Sequence, residues 1–243
     1  MKPILLLQIR PEDAASNGEY EALLKFGELS AQDIHRVRVE QTGVPEVTFE
    51  NYSAIIVGGG PWNPGDPEEK KSDVQKRAEA AFAPLMQKVA KQDFPCLAIC
   101  YGLEILTKSL DVAITHDFRE KPGAVDLMIT KEGTQDPLLT GLPQSFRGFV
   151  GHKEAAAHVP EGGTLLVSSK DCPPHMFRLG QNVYAVQFHP ELDVEGMCAR
   201  TDIYKHAGYF PPEQAEEIKT MVRRENITIP MEILKRFIKR YHA

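Results

Sequence analysis

The chain has 243 residues, enough for one large α/β domain with a substantial core and too few to expect a second folded domain. Its 34 acidic and 28 basic residues are mixed along the sequence and leave a formal charge of -6, which disfavours nucleic acid or an anionic membrane as a partner. No apolar run approaches the ~20 residues that span a bilayer, and Met1-Lys2-Pro3 leads into an apolar run with no signal-peptide architecture, so a cytoplasmic protein is expected.

Residues 3–9, Pro-Ile-Leu-Leu-Leu-Gln-Ile, suit a central parallel strand. Tyr20, Leu23, Leu24 and Phe26 begin a helical face, and His35 to Glu40 alternates as a more peripheral strand, so a βαβ unit opens the chain. Glu50 to Val57 delivers a third strand into Gly58-Gly59-Gly60-Pro61, where missing side chains let backbone donors approach a ligand; an ordinary turn is the alternative. Trp62 beside it suits a pocket wall or plain packing equally. Ser72 and Gln75 form a candidate capping box for a helix with Val74, Ala78 and Phe82 inward. Pro84 predicts a kink or a new helix, with Leu85, Met86 and Val89 continuing the inward face.

Phe94 to Leu106 reads as a buried strand breaking sharply into a helix. Leu97 to Ile99 are apolar enough for a strand covered on both faces, Gly102 permits close packing, and Leu103, Ile105 and Leu106 start a helical run. Cys100 falls at the bend, at a helix N-terminus whose unpaired N–H groups favour thiolate. That is the layout of a nucleophile elbow with Cys in place of Ser, against the alternative of one more buried cysteine. Cys96, Cys172 and Cys198 read as reduced structural thiols; with no Cys-x-x-Cys pair and no His at metal spacing, neither metal nor cofactor is expected.

Beyond the elbow, short β-rich pieces near 112–116, 124–130, 146–151, 164–169 and 175–188 have an antiparallel character. Val183 to Phe188 is an apolar strand ending in His189-Pro190-Glu191, where His189 can take a thiol proton and Glu191 can orient the imidazole. Thr201 to Phe210, rich in aromatic and His residues, is read as a surface connector in preference to a loop over an active-site mouth. Pro212 starts a helix with Ile218, Met221 and Val222 inward, and Pro230 starts another whose stripe of Ile233, Leu234, Phe237 and Ile238 docks on the domain. Its outer Lys235, Arg236, Lys239 and Arg240 are read as a solvated face.

Taken together, Cys100-x-Gly102 after a strand, the late His189-Pro190-Glu191, the Gly58-Gly59-Gly60-Pro61 turn and Gly151-His152-Lys153-Glu154 resemble the four signatures of the class I glutamine amidotransferases, in the family's order over residues 52–191. The last resembles the Ser-His-x-Asp segment of the GMP-synthetase-like branch. The resemblance implies a three-layer, flavodoxin-like α/β fold, with a mostly parallel central sheet flanked by helices and a smaller antiparallel sheet. Residues 1–243 would form a single such domain with a helical C-terminal extension at about 192–243. It further implies a catalytic Cys100, His189 and Glu191, an oxyanion hole from the backbone of Gly60 and Tyr101 with Gly59 as alternate, and substrate contacts from Gly58, Glu104, Gly151 and His152.

The implied reaction is hydrolysis of a γ-glutamyl amide through a thioester, with glutamine or another γ-glutamyl compound as substrate and a possible separate synthetase subunit receiving ammonia. A stand-alone γ-glutamyl peptidase-like hydrolase is the second reading, and a catalytically weak binding or regulatory homologue the third. The sequence departs from the family pattern where Ala98 replaces a Gly of the elbow, Glu104 replaces a substrate-contacting Gln, and Gly151 and Glu154 replace the Ser and Asp. An ionised Glu104 accepts hydrogen bonds but donates none, so it is expected to retune the pocket toward a different γ-glutamyl compound or an amine-bearing group.

Overall fold

The computed structural model describes residues 1–242. Chain order gives β1 (Ile4–Gln8), α1 (Asp13–Gly27), β2 (Ile34–Arg38), α2 (Val39–Thr42), β3 (Ala54–Val57), α3 (Asp73–Gln92), β4 (Cys96–Ile99) and α4 (Tyr101–Ser109). There follow β5 (Ile114–Thr115), β6 (Glu120–Ile129), β7 (Ser145–His152), β8 (Ala155–Ala156), β9 (Gly163–Ser168), β10 (Met176–Leu179) and β11 (Val183–Val186). Three helices close the chain, α5 (Val194–Ile203), α6 (Ala215–Val222) and α7 (Ile229–Tyr241).

One nine-stranded sheet has the order β2-β1-β3-β4-β11-β10-β9-β6-β7, and β5 pairs with β8 in a separate two-stranded sheet. Strands β2, β1, β3, β4 and β11 run parallel, while β10, β9, β6 and β7 continue the same sheet in antiparallel fashion. The fold is therefore the expected α/β architecture, with most of the antiparallel part fused onto the main sheet.

The apolar runs alternate between two cores because successive strand side chains point to opposite faces. Ile4, Leu6, Ile56, Leu97 and Ile99 pack with Leu23 of α1 and with Ile233, Leu234, Phe237 and Ile238 of α7. Leu5, Leu7, Ile55, Val57 and Ala98 meet Phe82, Met86 and Val89 of α3 and Leu103 and Leu106 of α4 on the other face. A third cluster joins Phe149 and Leu192 to Met197, Ile218 and Val222, seating α5 and α6. No helix among the described residues is long and apolar enough to cross a membrane.

Two local expectations are corrected, and one helix of the extension lacked its own signal in sequence. Helix α3 runs through Pro84 without a break, because Pro84 and Ala80, whose carbonyl the proline leaves without its helical donor, both face solvent while Phe82, Leu85, Met86 and Val89 anchor the inner face. Met221 is exposed, and Lys219 takes the buried place in α6, paired with Asp202 and Glu216. Residues 194–203 form α5, whose buried side chains, Met197, Arg200 and Thr201, make no apolar stripe legible in sequence. Ser72 does cap α3, accepting from Gln75 N at 3.1 Å.

Candidate active site

Strands β4 and β11 are parallel neighbours with Ala98 opposite Ala185 and Ile99 opposite Val186, which brings Cys100 and the segment ending in His189 to the same carboxyl edge of the sheet. Cys100 has φ 50° and ψ -106°, a left-side conformation that a non-glycine residue adopts only under constraint. The constraint is visible: Cys100 N donates to Val186 O at 2.7 Å, Glu104 N donates to Cys100 O at 3.0 Å, and α4 starts at once. Gly102 is required here, since a Cβ would lie 2.5 Å from Val57 O.

Cys100, His189, Gly60 and Gly151 line one cavity of about 50 Å³, together with Arg10, Arg200, Tyr204 and Tyr209. His189 Nδ1 lies 2.8 Å from Glu191 Oε1, which fixes Nδ1–H as the donor and leaves Nε2 for proton exchange. Arg200 Nη1 reaches Glu191 Oε1 at 3.1 Å and stands 3.3 Å from His189 Nδ1. Arg10 Nε donates to Glu19 Oε1 at 2.9 Å and its Nη1 to the Tyr204 hydroxyl at 3.2 Å. Burial alone would push the Glu191 carboxyl up, but the contact with His189 and the Arg200 guanidinium hold it well below the ordinary carboxylate range.

Burial pushes the Cys100 thiol above its ordinary range, and Arg10 and the Tyr101 N–H only partly oppose this. Burial likewise lowers the His189 imidazole, against the pull of Glu191. At this buried elbow desolvation works against the thiolate that a helix N-terminus favours, and both shifts point toward a thiol and a neutral imidazole.

The remaining sequence-singled residues divide. Gly59 and Gly60 contribute no N–H to a backbone bond among the described residues, so both donors stay available beside Cys100. A Cβ on Gly59 would sit 2.8 Å from Arg10 Nη2 and 2.9 Å from His189 Cε1, so only glycine fits. Gly58 spends its N–H on Leu7 O at 3.0 Å and faces Glu19, which places it in the scaffold rather than the pocket. Tyr101 begins α4 with its ring buried against Phe82 and Trp62, and Trp62 packs there instead of walling the cavity. Glu104 is 3% exposed, accepts from Gln187 Nε2 at 3.2 Å, and does not line the cavity. Burial, then repulsion from Glu154, raises its carboxyl well above the usual range. The shift runs toward the protonated acid, which has one O–H to donate, and away from the ionised group expected.

His152 is buried with Nε2 2.9 Å from Glu120 Oε2, and it edges a second cleft, not the Cys100 cavity. That cleft holds about 570 Å³ and shares Tyr209 with the Cys100 cavity. The reading of Thr201 to Phe210 as a mere connector is also overturned, because Thr201, Tyr204, Tyr209 and Phe210 wall the cavity and Lys153 Nζ pins Ala207 O at 2.8 Å. Arg10, Glu19 and Arg200 went unnoticed in sequence because isolated charges read as solvent-facing. Folding also brings His152 and His175 together with Glu120 and Cys172, a clustering that their sequence spacing hid.

The family model described as Glutamine amidotransferase class-I matches residues 21–197. A glutamine-hydrolysing GMP synthase of Bacillus velezensis is 30% identical over 169 residues, covering 69% of this chain. The chain spans only 29% of that relative's length. A glutamine amidotransferase from Thermotoga maritima superposes with a TM-score of 0.78 at 18% identity, covering 99% of this chain and 98% of the other. A glutamine amidotransferase from Methylobacillus flagellatus does so with a TM-score of 0.73 at 16% identity, over 98% of this chain and 95% of its own. The match to the family model over most of the chain, around an elbow cysteine and a His-Glu pair on neighbouring strands, establishes that the chain belongs to the class I glutamine amidotransferase family.

Proposed function

We propose that this chain hydrolyses the γ-amide of glutamine, with Cys100 as nucleophile, His189 as general base and then acid, and Glu191 as the group that orients and stabilises the imidazolium. The observation that carries the reading is the 2.8 Å bond between His189 Nδ1 and Glu191 Oε1 beside a cavity that Cys100 also lines. Substrate entry triggers transfer of the thiol proton to His189 Nε2, and the thiolate attacks the amide carbon. The oxyanion is received by the N–H groups of Gly60 and Tyr101, or Gly59; one such donor is typically worth ~3 kcal/mol of barrier. Collapse breaks the C–N bond, His189 returns its proton to the departing ammonia, and water cleaves the thioester to glutamate and free thiol.

Glutamine recognition is compatible with Glu104, which lies outside the cavity lining and, when protonated, places no charge beneath the pocket. A separate synthetase is the proposed consumer of ammonia, in keeping with the GMP synthase name of the matched Bacillus velezensis relative. Residues 192–243 are read as a helical extension of the same domain that supplies one wall of the pocket. The 570 Å³ cleft next to Tyr209 favours, as a second reading, a γ-glutamyl compound larger than glutamine. The test is glutamate release from glutamine and from γ-glutamyl amides and peptides by the wild type and Cys100→Ala. Turnover of glutamine that disappears in the variant supports the first reading, and turnover of the larger compounds alone transfers support to the second. Undiminished turnover by Cys100→Ala sinks both.

A further inference from the structure

We propose that Glu120, His152, Cys172 and His175 form a closed, structural site for one divalent transition-metal ion of the zinc class. Glu120 opens β6, His152 ends β7, and Cys172-Pro173-Pro174-His175 lies in the connection from β9 to β10. One ligand atom from each lies within 4.8 Å of all the others, and all four residues are buried, Cys172 and His175 completely. Two imidazoles, a thiolate and a carboxylate are a zinc donor set, and the two anionic ligands cancel the charge of a divalent ion in an interior that tolerates no net charge.

The hydrogen bonds around the cluster point the same way. His152 Nδ1 lies 3.0 Å from the Glu154 carbonyl, which only accepts, so Nδ1 carries the proton. A neutral His152 then aims a bare lone pair at Glu120 Oε2, 2.9 Å away. Lone pair against carboxylate is repulsive unless a cation lies between them, either a second ring proton or a metal ion. His175 Nε2 converges on the same Oε2 at 2.8 Å, and its Nδ1 has no partner, so the ring is held only from the side of the cluster. A ligand histidine whose other nitrogen donates to a backbone carbonyl is the usual supporting arrangement at metal sites. Ser169 supplies another support, donating to Glu120 Oε1 at 3.1 Å while accepting from Cys172 N at 2.9 Å.

Metal–ligand bonds of about 2.0–2.3 Å in a tetrahedron set ligand atoms roughly 3.3–3.8 Å apart. The Glu120 contacts at 2.8 and 2.9 Å therefore need to open by about half an ångström, and ligand pairs separated by up to 4.8 Å to close by about one. Glu120 and His152 border the 570 Å³ cleft, which gives the ion a route inward. With four protein ligands no coordination position remains for substrate, so the ion would brace the ends of β6 and β7 and the Gly151–Glu154 segment beside the pocket.

The full chain, stripped with a chelator and titrated with Co²⁺, reads the site directly through thiolate-to-cobalt absorption. One equivalent is expected to bind, with a thiolate band that is lost in Cys172→Ser and retained in Cys100→Ala. Affinity should fall roughly tenfold or more in His175→Gln. Zn²⁺ should displace the cobalt and raise the thermal midpoint of the wild type, a shift absent from Cys172→Ser. Circular dichroism first verifies that each variant is folded, and His152→Gln replaces any that is not. Absence of one-equivalent binding, or a thiolate band that follows Cys100 instead of Cys172, overturns the proposal.

Discussion

Glu104→Gln is the sharpest test of the electrostatics beneath the pocket. The substitution is nearly isosteric and keeps an oxygen to accept from Gln187 Nε2, now at 3.2 Å, while removing a titratable proton. Burial and Glu154 raise the Glu104 carboxyl well above its unfolded value, so the folded protein holds a proton that the unfolded chain has released. Stability must then fall as pH rises from about 4.3 toward the folded value, with a slope near 1.4 kcal/mol per pH unit. The variant lacks that slope, so its advantage over wild type should grow by up to about 3 kcal/mol between pH 5 and 7. Urea denaturation of both proteins at half-unit pH steps measures the difference. Glutaminase activity of the variant should exceed that of the wild type increasingly as pH rises, because an amide cannot ionise beneath the pocket. Parallel stability profiles would refute the neutral Glu104, and an unchanged or lower glutaminase rate would refute its role in tuning the substrate.

Three further outcomes follow from the same contacts. Arg200→Met removes the cation 3.3 Å from His189 Nδ1 and one partner of Glu191, so the His189 imidazole should titrate higher and the acid limb of kcat/KM should move to higher pH. The accompanying loss of alignment should lower kcat/KM by about one to two orders of magnitude, and an unmoved acid limb would assign Arg200 a purely structural role. Tyr209→Ala merges the 50 Å³ cavity with the larger cleft, so alkylation of Cys100 by a neutral thiol reagent should accelerate; an unchanged rate would mean that Tyr209 does not gate access. Phe237→Ala should cost about 3–5 kcal/mol in chemical denaturation, since its fully buried ring packs edge-on to Tyr184 under α7. A cost below about 1 kcal/mol would show that α7 is not docked as described.

What the sequence displays well is whatever repeats or breaks a local pattern. The apolar runs of β1, β3, β4 and β11 were legible because strands covered on both faces need no alternation, and the elbow because an apolar strand, a cysteine and a glycine meet at one bend. Glu104 was visible as a departure but not its protonation state, which is set by burial beside Glu154 and not by the residue type. Arg200 was illegible because α5 carries no apolar stripe, and Lys219 because an ion pair with Asp202 and Glu216 lets a lysine stem occupy a place that apolarity assigned to Met221. The Glu120, His152, Cys172 and His175 cluster depends on the register of β6 against β7, where Glu120 faces His152, and no spacing along the chain encodes that pairing.

The tail beyond Glu191 therefore does more than extend the fold. Arg200 from α5 and Arg10 from the end of β1 meet Glu191 and Glu19 in a buried group of two guanidiniums and two carboxylates, with Arg200 Nη2 3.6 Å from Glu19 Oε1. Unlike an isolated Cys-His-Glu set, whose carboxylate would draw a proton onto the imidazole, this group is already neutral. Its charges leave His189 little reason to be protonated and Cys100 little reason to ionise before substrate arrives, in accord with the raised thiol and the lowered imidazole. A buried thiol that waits in its protonated form is less open to oxidation and alkylation than a standing thiolate. In the proposed mechanism the same arrangement would tie nucleophile activation to the moment when an amide carbonyl reaches the free N–H groups beside Cys100, so that the charge created by proton transfer would be met by donors already in place.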